Sequence, residues 1–119
     1  MGHYTDIFVV PVPNQNIGAY RQQAELFVKI VREHGALSCV EFEADDAPRG
    51  KVTSFPQSVD LKPDETVFGG IATYESRAQR DEVNARVMQD PRMSAMTPET
   101  MAFDGRRMFF GGFKPFVGD

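Results

Sequence analysis

Residues 65–91, ETVFGGIATYESRAQRDEVNARVMQDP, decide the fold, because they read as a strand that runs through a tight junction into a helix. From Thr66 to Tyr74 the chain alternates: Val67, Gly69, Ile71 and Thr73 share one face, and Thr66, Phe68, Gly70, Ala72 and Tyr74 share the other. That two-residue period belongs to a strand, and neither face is plainly polar. Ser76 is a good helix N-cap, since its hydroxyl accepts from a free first-turn amide, and Asp90-Pro91 ends a helix over 77–89. At about 100° per residue, Gln79, Glu82, Arg86 and Gln89 group on one side, and Val83, Val87 and Met88 on the other.

Arg80 and Asn84 fall on that second, apolar side. A guanidinium and an amide on a core-facing stripe need hydrogen-bond partners, which either a ligand or the protein itself supplies. For Arg80 both readings stand: it holds a ligand oxygen, or it crosses the core to a carboxylate. For Asn84 the structural reading is preferred.

Working outward, 119 residues fit one domain spanning 1–119. A hydrophobic fraction of 41% suffices for a core, and ten Phe and six Met with no Trp make it bulky and adaptable. The net charge of −4, without a basic run, argues against a nucleic-acid partner held through phosphates. The single Cys39 has no internal disulfide partner, which fits a reducing, cytoplasmic compartment. No apolar run approaches the ~20 residues of a membrane helix, and no secretion signal opens the chain. Asp6 stands where a myristoylation motif wants Ser or Thr.

In chain order, YTDIFVVPV at 4–12 reads as a strand closed by Pro11 and Pro13. Asn14 or Asn16 then caps a helix running to about His34, where Gly35 supplies the left-handed stop. Ile17, Tyr20, Ala24, Phe27, Val31 and His34 form its stripe at spacings of three and four, with Leu26 and Ile30 off the stripe. His34 has three readings: general base, metal ligand or helix cap. One helical His without further ligands is poor evidence for a metal, so no metal site is expected and the cap is preferred.

LSCVEFEA at 37–44 is a second strand, with Leu37, Cys39, Glu41 and Glu43 opposite Ser38, Val40, Phe42 and Ala44. Cys39 reads as a packing residue and not a nucleophile. Residues 45–64 form a long polar connection in which 52–55 is suited to extended structure, pairing or packing across a subunit boundary. Met93, Met96 and Met101 lie in a short turn and irregular link, Asp104-Gly105 is a turn, and 106–113 is the last strand. Gly69-Gly70 and Gly111-Gly112 sit inside strands and not at a strand-to-helix turn, so no phosphate loop and no cofactor is indicated.

The order strand, helix, strand, strand, helix, strand is the ferredoxin-like βαββαβ arrangement, an α+β fold with both helices on one face of a four-stranded antiparallel sheet. Two helices cover one face only. Three of the strands are apolar or glycine on both faces, so a second copy is expected to cover the other, giving a homodimer with facing sheets.

HGAL at 34–37, GKVTSFP at 50–56, ESRAQRDEVNARVMQDPRM at 75–93 and FDGRRMFFGGF at 103–113 together resemble the YbaA-like family of small bacterial proteins of unknown function, over almost the whole chain. The resemblance implies a dimeric α+β barrel, a superfamily that includes cofactor-independent monooxygenases, haem-degrading enzymes and muconolactone isomerases. It carries no activity over, because fold kinship does not assign chemistry.

The residues suggest a pocket between sheet and helices for a small anionic or carbonyl-bearing molecule. Arg80 and Asn84 would hold its oxygen, and Phe68, Met88 and Met108 would wall it. If the site is catalytic, His34 or Asp6 is the candidate base of an oxygenase or isomerase. The alternative is a non-catalytic sensor or interaction module in which Arg77, Arg80 and Asp81 pair with Asp90 or Asp104. RNA binding ranks below both.

Overall fold

The computed structural model describes residues 2–118. Four strands, β1 (Tyr4–Pro13), β2 (Ser38–Glu43), β3 (Glu65–Tyr74) and β4 (Phe109–Phe113), pair antiparallel in the order β2-β3-β1-β4. The main helices are α1 (Ile17–Glu33) and α3 (Arg77–Gln89), with single turns at α2 (Phe55–Ser58) and α4 (Pro91–Ser94). This is the ferredoxin-like α+β fold that the order of elements predicts.

Register sorts the side chains onto two faces. Tyr4, Asp6, Phe8, Val10 and Val12 of β1 lie beside Tyr74, Ala72, Gly70, Phe68 and Thr66 of β3. Both helices pack on that face: Ile30 and Val31 of α1 meet Val83 and Val87 of α3 over Cys39, Ala72 and Tyr74. A second cluster joins Tyr20 to Val10, Val12 and Phe68, with Phe103 and Met108 against it. The off-stripe Ile30 is fully buried, so it thickens the core.

Helix ends follow local chemistry. Ser76 accepts from the Gln79 amide at 3.1 Å, as its position predicts. Gly35, at φ 123°, carries the chain out of α1 in a conformation that disfavours other residues. At the start of α1 Asn16 takes the N-cap position, as one of the two expected alternatives, but its side chain makes no capping hydrogen bond. Asn14 Oδ1 accepts from the Thr66 hydroxyl, while Asn16 donates to the Ala102 carbonyl at 3.1 Å, tying α1 to the segment before β4.

The rear face is closed at one end only. Val59 and Leu61, from the 45–64 connection, cover Val9 and Val67, so part of this connection packs on its own sheet. Residues 52–55 are not a strand: the Ser54 hydroxyl accepts from the Gln57 amide and donates to Gln57 Oε1, which caps the start of α2, and Pro56 sits where the helix needs no amide. The last strand is also shorter than predicted. Asp104 accepts from the Arg106 amide at 3.0 Å, and Arg107 turns away to Glu65 in a two-pronged pair, so regular pairing begins only at Phe109.

Beyond that closed end, Ile7, Val40, Phe42, Phe109 and Phe113 remain exposed on the rear face, with Phe42 at 54% and Phe113 at 56%.

Candidate functional site

The helix-covered face carries two polar centres of opposite character. The first joins β1 to α3. Arg80 Nη1 donates to Asp6 Oδ1 at 2.7 Å, Nη2 to the Tyr4 hydroxyl at 3.2 Å and Nε to Asp81 Oδ1 at 2.9 Å. Its guanidinium carbon also stands 5.0 Å from the centre of the Tyr4 ring. Burial raises the Asp6 pKa, opposed by the Arg80 charge and by a hydrogen bond from Asn84. The Arg80 side chain is only 15% exposed, and each of its three nitrogens donates to one of these protein groups. Gly112 makes room for the assembly, since a Cβ there would stand 2.3 Å from the Tyr4 hydroxyl.

The residues expected to share a pocket with Arg80 are dispersed. Asn84 is beside Asp6, as the helix spacing implies. Phe68 and Met108 belong instead to the Tyr20 cluster. Met88 corrects the expectation outright: its side chain is 75% exposed and walls nothing within the chain. Its apolar character suggested the inner side, but Val83 and Val87 set the buried stripe and leave Met88 a step beyond it.

His34 lies elsewhere. It is the C-cap residue of α1, and its Nε2 meets Asp90 Oδ2 at 2.9 Å. Arg92 bridges Asp90 and Glu33, each at 2.8 Å, so this group ties the end of α1 to the α3–α4 junction. Hydrogen bonds from Arg92 and His34 hold the Asp90 carboxyl well below the usual range. His34 and Asp6 therefore serve separate networks, and the Asp6 partner of Arg80 replaces the Asp90 or Asp104 that the sequence suggested.

The second centre was not singled out from sequence. Tyr20 of α1 donates its hydroxyl proton to Glu41 Oε1 of β2, inside a cleft of about 540 Å³ between helix and edge strand. Ile17, Ala24, Val28 and Phe68 supply apolar wall, and Arg21, Glu25 and Glu43 the charges. Glu41 lies opposite Gly70, whose missing side chain leaves space that the Phe8 ring enters. Burial raises the Glu41 pKa against the lowering effect of the Tyr20 hydrogen bond, and burial also pushes the Tyr20 phenol far up. Cys39 lines the same cleft as a buried thiol pushed up to about 11, which keeps it protonated and unreactive at neutral pH.

Glu41 Oε2 has no hydrogen-bond partner among the described residues, and it is not a sealed buried atom. The alternation of β2 held the signal, because it places Glu41 on the same face as Cys39. Among the described residues no group of three His, Cys, Asp or Glu side chains is arranged to hold a metal ion.

Residues 3–105 match the family described as "Protein of unknown function (DUF1428)". The chain belongs to the DUF1428 family. It is 41% identical over 116 residues to the uncharacterized protein YbaA of Escherichia coli K12, covering 98% of both chains, and equally similar to YbaA of Shigella flexneri. Among solved structures, protein Atu4242 from Agrobacterium tumefaciens aligns with TM-score 0.56 at 21% identity, over 95% of this chain and 93% of that one. A protein from an uncultured marine organism, described as dimeric and ferredoxin-like, aligns with TM-score 0.53 at 13% identity, over 95% and 92%. These likenesses assign the DUF1428 chain its fold. Among the described residues, no helix is long and apolar enough to cross a membrane.

Proposed function

We propose that this protein is a homodimer that binds a small organic molecule in the cleft between α1 and β2 of each protomer. One observation carries the binding reading: a half-buried carboxyl stands in a largely apolar cleft with Oε1 held by Tyr20 and Oε2 without a protein partner. Apolar walls with a few oriented polar groups are the usual make-up of a ligand site. The Arg80 centre has the reverse character, since its charge is paired with Asp6 and Asp81 within the fold. The polar groups of the cleft are placed to hold a ligand, and a binding or sensing role is the reading they carry.

Dimerisation follows from the rear face. Ile7, Val40, Phe42, Phe109 and Phe113 make an exposed apolar surface that a second copy would cover, and the marine neighbour described as dimeric lends support by analogy. Sedimentation of the protein is expected to show a dimer, and Phe42→Asp with Phe113→Asp a folded monomer. A folded monomer for the unaltered chain at micromolar concentration would end this part of the reading. For the cleft, a fragment screen by protein-observed NMR is expected to gather its shifts on Tyr20, Val28, Glu41 and Phe42. Hits scattered elsewhere, or none, would remove it.

A further inference from the structure

The cleft also has a charge preference. Its lining carries three carboxyls, Glu25, Glu41 and Glu43, against one guanidinium, Arg21, so its field repels anions and attracts cations. Glu25, Glu43 and Arg21 are exposed at the rim, whereas Glu41 is half-buried deeper in. Its only protein donor is the Tyr20 hydroxyl, a neutral group, and no cation pairs with it among the described residues. Other largely buried carboxyls differ: Asp6 has Arg80, Glu65 has Arg107, and Asp90 has Arg92.

A carboxylate drawn out of water without a counter-charge is costly, and an opposite charge brought within hydrogen-bond reach relieves that cost. Glu41 and the rim charges frame a wall of Ile17, Ala24 and Val28 over the buried rings of Tyr20 and Phe68. The apolar side chains between them suit a hydrocarbon body.

We infer that the cleft selects an organic ammonium ion, an amine with an apolar tail, whose N–H group donates to Glu41 Oε2 while Tyr20 holds Oε1 in place. This rests on the cleft being a binding site, and its ligand differs from the anionic or carbonyl-bearing molecule expected beside Arg80. Small anions are disfavoured by the same charges. Glu41 sets the ligand's charge class, Tyr20 positions it, and the apolar walls set the tail.

The test compares three probes that share one six-carbon tail: hexylamine, hexanol and hexanoate, titrated into the full chain by NMR and calorimetry at neutral pH. Hexylamine is expected to bind on the order of tenfold tighter than hexanol, with hexanoate weakest. In Glu41→Gln, which keeps an oxygen for Tyr20, that advantage is expected to vanish while hexanol binding persists. The rim variant Glu25→Gln with Glu43→Gln is expected to reduce amine affinity only a few-fold and serves if the first variant does not fold, by showing the surviving preference of an intact Glu41.

Hexanol binding at the cleft as tightly as hexylamine, or an amine preference that survives Glu41→Gln, would overturn the cation assignment and leave the cleft as a site. Absence of shifts on the cleft residues with all three probes would overturn the assignment and the site together.

Discussion

The Arg80 and Tyr20 centres lie on the same side of the same sheet, and each pairs an acid on a strand with a hydrogen-bond donor on a helix. They differ in closure. At Arg80, charge meets charge and several donors converge on protein acceptors. At Tyr20 a neutral hydroxyl takes one oxygen of Glu41 and leaves the second facing a cleft. The first arrangement spends its interactions on joining β1 to α3; the second leaves some unspent. A buried polar residue thus marks a ligand site by the partner it lacks, and not by its chemical type.

The largest expected effect breaks the closed centre. Arg80→Ala strands the Asp6 carboxylate and is expected to cost about 3 kcal/mol, the scale for removing one partner of a largely buried pair, read from urea unfolding. Glu41→Gln, by contrast, removes an uncompensated charge and is expected to change stability at neutral pH by less than about 1 kcal/mol, in either direction. Equal losses for the two would erase the distinction. Tyr20→Phe sharpens it further: loss of the single hydrogen bond to Glu41 should cost about 1 kcal/mol. The same change should raise the Glu41 pKa, because the bond it removes favours the ionised form.

Acid titration separates open from closed by sign. Folding raises the Glu41 pKa above its ordinary 4.5, so just above that value the folded chain keeps a proton that the unfolded chain has lost, and stability falls as pH rises through the window. Asp6 contributes in the same direction above its ordinary 3.8. Asp90 works oppositely: its pKa is depressed, so its contribution is complete above 3.8 and is lost as pH falls through the folded value. Thermal midpoints followed against pH should show Glu41→Gln removing part of the decline above 4.5, and Asp90→Asn flattening the acid limb below 3.8. The smallest effect is expected at Met88, where an exposed side chain makes Met88→Ala worth less than about 0.5 kcal/mol in the same unfolding assay.

The strand and helix order was legible because each element announces itself locally, through alternation at 66–74, the three-and-four spacing of α1 and Ser76 before α3. What failed was also local. The Ser54 cap, two residues before Pro56, was written in the sequence and yet overlooked beside the β-favouring Val52 and Thr53. Arg106–Met108 looked like strand because nothing in its own pattern shows Arg107 reaching back to Glu65. The candidate site was legible only in half. Helix spacing brought Arg80 and Asn84 to one place, but their partner Asp6 lies 74 residues from Arg80 in the chain. Glu41 was passed over because nothing in the pattern of β2 itself shows Tyr20, 21 residues earlier in the chain, reaching it.

β2 itself works on two faces. Six residues at the margin of the sheet present Glu41 to the cleft on one side and Val40 with Phe42 to the rear on the other, with only the thickness of a backbone between them. A shift of this ribbon is felt on both sides at once. If occupancy of the cleft alters how readily two copies associate, then association must alter affinity for the occupant by the identical factor, so each event becomes a gauge of the other.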